Sequence, residues 1–167
     1  MASQVYKLIG EFCEDIAKCT VNATPDKRKW KWGRDDQDNV WMFYNSLAAF
    51  KIPDNCQIVC CSTLYDFMSP YSMGKMAHIP PEAVEVFADV QMTHPKDPKA
   101  ELMRFKNRAG DEGYMDLKLW KLCQKFMDFY HQICFNKGMF YIDNAGVCEA
   151  IICGVKLNTK EAKDDEP

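Results

Sequence analysis

The sequence predicts a mostly α fold, an α+β chain with only a minor β element, in which about five to six helices surround a long central helix at 114–135. Three observations carry this expectation. In YMDLKLWKLCQKFMDFYHQICF, Leu119, Trp120, Leu122, Cys123, Phe126, Met127, Phe129, Tyr130, Ile133 and Cys134 fall on one half of a helical wheel. Lys118, Lys121, Gln124, Lys125, Asp128, His131 and Gln132 fall on the other. A second stretch has the same spacing, with Val5, Leu8, Ile9, Phe12, Cys13 and Ile16 recurring after Ser3, a suitable N-cap. The third observation is bulk composition: 167 residues, 47% apolar and 27% charged, suit one domain at 1–158 with a sizeable core.

Taken in order, residues 4–19 are expected as an amphipathic helix. The pattern then breaks down in TVNATPDKRKWKWGRDDQDN, which reads as a long loop. A helix over 38–50 ends before Ile52-Pro53, because a residue preceding proline avoids the α region. The β-branched and thiol side chains of 57–61 supply the minor β element. Residues 68–80, with prolines, a glycine and methionines, read as a second loop.

Pro81 fits the first turn of a helix through 91, with Glu82 and Glu85 at its positive end. Residues 99–109 form a short helix closed by Gly110. After the central helix, the turn signal Asp143-Asn144-Ala145-Gly146 between two β-rich runs predicts a C-terminal β-hairpin, the alternative being a final helix over 145–157. The tail 159–167, TKEAKDDEP, is expected as acidic and disordered.

A formal charge of −3 argues against a surface built wholly to hold nucleic acid or anionic lipid. The cysteine count, nine, is odd, and the thiols sit mainly in apolar runs; no basic stretch followed by an apolar one opens the chain. They are read as free cysteines in an intracellular protein, cytoplasmic or inside an organelle. No apolar run approaches the roughly 20 residues that span a bilayer.

Two stretches have contact-like composition. Lys27, Arg28, Lys29, Trp30, Lys31, Trp32 and Arg34 put five cations and two indoles in eight residues. Cations that neutralise phosphates beside rings that stack on bases suit single-stranded nucleic acid, and the same patch suits an acidic protein surface. Asp35, Asp36 and Asp38 follow at once and oppose that field; the alternative is that Trp30 and Trp32 anchor a loop to the core, with the cations solvated or paired to those aspartates. The second stretch gathers Met68, Tyr71, Met73 and Met76 on an irregular segment, where flexible thioethers make an adaptable surface for a protein partner.

Chemistry is not announced. Cys56, Cys60, Cys61, Cys148 and Cys153 lack the paired spacing of zinc sites, and neither a phosphate-binding glycine loop nor a nucleophile elbow is present. No catalytic residue, metal or cofactor is therefore assigned. The expected function is a non-catalytic protein-interaction or assembly subunit acting through exposed loops. Single-stranded RNA or DNA binding through 27–34 is the first alternative, and a thiol-dependent enzyme the second.

Overall fold

The computed structural model describes residues 7, 9–11, 30–53, 70–127 and 130–157. Over these residues the chain is mostly β, which corrects the expectation of a mostly α fold. Ten strands are present: β1 (Trp30–Arg34), β2 (Val40–Tyr44), β3 (Ala48–Lys51), β4 (Val84–Glu85), β5 (Phe87–His94), β6 (Asp97–Lys106), β7 (Glu112–Asp116), β8 (His131–Asn136), β9 (Met139–Asn144) and β10 (Val147–Cys153). Two helices, α1 (Pro70–Met76) and α2 (Leu117–Phe126), accompany them, and residues 9–11 are helical.

Seven strands form one sheet in the order β1-β2-β3-β10-β9-β8-β4, and β5-β6-β7 form a second. Every pairing is antiparallel. The sheets are joined on two sides. β4 runs through Val86 directly into β5, with the Val86 N–H donating to Ile133 O at 2.8 Å, so one stretch of chain passes between sheets. Beyond β10, Gly154 N–H donates to Gly138 O and Val155 N–H to Tyr114 O, both at 2.7 Å, which lays the chain beside β7. A Cβ at Gly154 would sit 2.8 Å from the Gly138 carbonyl oxygen, so only glycine permits this approach.

The large sheet is buried on both faces, and alternation along its strands sorts the core into two clusters. Met42, Phe50, Phe140, Ile142, Ala150 and Ile152 point to one face, against Leu119, Leu122 and Cys123 of α2 and against Phe105 and Met115 of the small sheet. There Phe50 stacks on Phe126 with ring centroids 4.3 Å apart, and Phe105 meets Trp120 edge-on at 5.1 Å. Trp41, Phe43, Ala49, Tyr141, Cys148 and Ile151 point the other way, onto Met73 of α1.

The expected central helix at 114–135 is instead a strand, a helix and a strand. Its middle keeps the predicted wheel, with Leu119, Leu122 and Cys123 buried and Lys118, Lys121, Gln124 and Lys125 exposed. Asp116 ends the pattern on one side as N-cap: its carboxylate accepts from Lys118 N at 2.8 Å and Leu119 N at 3.4 Å. On the other side Met127 turns to extended dihedrals while its N–H still bonds Cys123 O. From His131 the chain pairs with β9, because Lys137 and Gly138, both at positive φ, form the turn that closes a tight hairpin.

The other expected helices also fold as strands. The stretch 38–50 is the β2–β3 hairpin, turned by Asn45 and Ser46 at φ 48° and 58°. VWMFY is buried on both faces, so it lacks the alternation by which a strand declares itself. Residues 81–91 hold a turn, β4 and much of β5, and 99–109 hold most of β6 and its turn, where Gly110 takes φ 94° between strands and not at a helix end. Conversely, the expected loops contain β1 and α1. The predicted C-terminal hairpin is present as β9–β10, turned by Ala145 and Gly146. Most of the expected helix 4–19, the β element at 57–61 and the tail lie outside the described residues.

Candidate functional site

Helix α1 lies across the second face of the large sheet, and the features with the character of a contact surface gather around it. Met73 anchors it: this side chain is fully buried among Trp41, Phe43, Tyr141, Cys148 and Ile151. Gly74 sets its distance from the β1–β2 turn, since a Cβ there would lie 2.5 Å from Asp36 Cγ. The last turn closes through Ala77 N–H to Met73 O at 2.9 Å.

One flank of α1 is polar. A cavity of about 270 Å³ lies between Gly74, His78 and Ile79 on one side and Asp36, Trp41, Lys51 and Cys148 on the other. Asp35 builds its wall. This buried carboxylate accepts four hydrogen bonds, from Gln37 N and Asn39 N on Oδ1 and from Asn39 Nδ2 and Trp41 Nε1 on Oδ2, all at 2.8–2.9 Å. Burial raises its pKa, but the donors outweigh burial and hold it below the ordinary value. With its oxygens so occupied, Asp35 shapes the turn and is not set up to act as a base. Cys148 donates to Ala150 O at 3.6 Å, and burial pushes its thiol up to about 12, so it is protonated at neutral pH.

The opposite flank is apolar. Phe43, Ala49, Met139 and Ile151 floor a hollow of about 70 Å³ beside Met76 and Leu47. Two of its lining side chains face solvent, Leu47 at 48% and Met76 at 40% exposed; Tyr71, on the same helix as Met76 but not part of this lining, is 66% exposed. Lys75 Nζ sits 4.3 Å from the centre of the Tyr71 ring.

Of the residues singled out by sequence, Tyr71 and Met76 are therefore exposed on one helix, whereas Met73 serves the core beneath them; Met68 lies outside the described residues. The basic-aromatic stretch is strand β1 from Trp30 onward, and Lys27, Arg28 and Lys29 lie outside the described residues, as does the side chain of Trp30. Trp32 is 2% exposed in the main core, where no base can stack on it. Lys31 is buried on the opposite face, its Nζ 3.5 Å from Ser46 Oγ. Arg34 pairs with Asp38 at 2.8 Å and lies over the Trp32 ring.

The remaining described thiols are shielded too: burial raises the pKa of Cys123, Cys134 and Cys153. Among the described residues no group of three or more His, Cys, Asp and Glu side chains is placed to hold a metal ion, and no helix there is long and apolar enough to cross a membrane. On the far face, Glu149 accepts from Asn144 Nδ2 at 3.0 Å and lies 2.7 Å from His131 Nε2, which with Asn144 holds its carboxyl below the ordinary range.

Fold and site together define an antiparallel β protein that presents a short helix and an apolar hollow on one sheet face. The chain matches no protein-family model, no curated protein and no solved structure. Sequence reasoning missed Leu47, Phe43, Met139 and Ile151, which come from two hairpins, β2–β3 and β9–β10, and meet only when β3 and β10 pair.

Proposed function

We propose that this chain is a non-catalytic subunit that binds another protein through the face carrying α1. The supporting observation is the exposure of Met76 and Leu47 on the lining of an apolar hollow, with exposed Tyr71 on the same helix as Met76. Aromatic and methionine side chains of this kind are enriched in interface centres, where burial of a few anchors carries most of the binding energy. Flexible thioethers let one surface conform to its partner. The protonated thiols and the saturated Asp35 beside the polar cavity fit a binding role better than a nucleophilic one.

Site-specific photo-crosslinking tests this reading. A photoreactive residue replacing Tyr71 is expected to yield one discrete adduct of defined mass in native extract, while the same residue at exposed Lys99 on β6 yields none. Equal, diffuse labelling from both positions contradicts the proposal.

A further inference from the structure

A second surface, remote in the topology from α1, is the outer edge of the small sheet. β5 is its terminal strand, eight residues long, and among the described residues nothing pairs with its outer side. Such an edge presents a row of backbone donors and acceptors, and proteins usually blunt it with charge, proline or brevity. Here Asp89 and His94 are the only ionisable residues of FADVQMTH. Asp89 sits at the bulge between Ala88 and Val90 and turns back to Arg104 at 2.6 Å and Lys106 at 3.6 Å. Phe87 and Val90 are 47% and 42% exposed. The opposite edge, β7, already accepts the Val155 N–H.

We propose that β5 is a self-association edge, at which a second copy of this chain pairs antiparallel about a two-fold axis through Gln91. Gln91 lies within the regular part of the strand, 90–93, between its irregularities at Ala88/Val90 and Thr93/His94. In that register Gln91 meets its own counterpart, and Val90 meets Met92 of the second copy twice over, as apolar cross-strand pairs. Asp89 falls opposite Thr93, so no like charges meet. Apart from Asp89, which Arg104 and Lys106 already pair, and His94, the strand carries no ionisable side chain, so a second copy of it meets this edge at little desolvation cost. Pairing about a two-fold axis is isologous and closes at two copies.

An edge of this length buries less than a standard interface, so association is expected to be reversible, with Kd in the micromolar to millimolar range. This surface is independent of the α1 face, and either can fail alone. Sedimentation equilibrium on the purified chain tests it. The wild type is expected to move from monomer to dimer with concentration. Val90→Asp, at an exposed position that leaves the circular dichroism unchanged, is expected to weaken the dimer at least tenfold, and V90D/M92K to restore it by placing opposite charges across the axis. A wild type that stays monomeric throughout, a V90D dimer as tight as the wild type, or a double variant no tighter than V90D overturns the proposal.

Discussion

Asp35 shows how one residue can resemble a functional group and act as a structural one. A buried acid beside a tryptophan and a cavity invites a catalytic reading, yet its two oxygens receive two backbone and two side-chain donors that together fix the β1–β2 turn. Asp35→Ala would leave Trp41 Nε1 and the Asn39 groups without their acceptor, at a cost of about 1–3 kcal/mol. Because donors hold the folded carboxyl below its ordinary 3.8, its contribution is present above that pH and is lost as pH falls through the lower, folded value. Glu149, held below 4.5 by His131 and Asn144, acts in the same direction. Urea midpoints measured from pH 7 downward are thus expected to fall most steeply below about pH 4.5, and less steeply in D35N/E149Q. Gly113 is a second residue with a single reading. A Cβ there would come within 2.9 Å of both Phe135 and Phe140, so Gly113→Ala is expected to destabilise the chain by about 1–3 kcal/mol, read from denaturant midpoints.

At the scale of elements, the hairpins divide what the sequence tells from what it conceals. β9–β10 is legible because its turn residues at Asn144, Ala145 and Gly146 lie between two β-rich runs. Asn45-Ser46 and Lys137-Gly138 are comparable turn signals, but each lies beside an apolar run that also satisfies a helical wheel. Strands buried on both faces, such as β2, have no polar alternation to set against that wheel. The helix α2 is legible over 117–126, and the missed boundary signal was Asp116, a strong N-cap residue placed inside the presumed helix. Asp116→Ala is expected to cost about 1 kcal/mol and to speed amide exchange in the first turn of α2 more than in β8. As for the site, methionine and tyrosine composition pointed to Tyr71 and Met76, since contact chemistry is local. The hollow beside Met76 is assembled from distant strands, and no local signal encodes it. Trp32 and Lys31 lie on opposite faces of β1, as alternation along a strand requires, and both side chains are buried.

Across the whole molecule, the two sheets share the chain at β4–β5 and again beside Tyr114, and this frame leaves two unlike surfaces outward. The α1 face offers bulky apolar anchors over a small hollow, suited to side chains of a different protein. The β5 edge offers backbone, suited to another extended strand. A chain with both would form a symmetric pair that carries two partner sites. Binding of another protein by the α1 face is read from the mass of the native assembly. Size-exclusion with light scattering on native extract is expected to place the wild type in a complex heavier than its own oligomer, and Y71D/M76D, which replaces only exposed side chains, in a lighter species with the same circular dichroism. A double variant that elutes in the same heavy complex as the wild type contradicts the account.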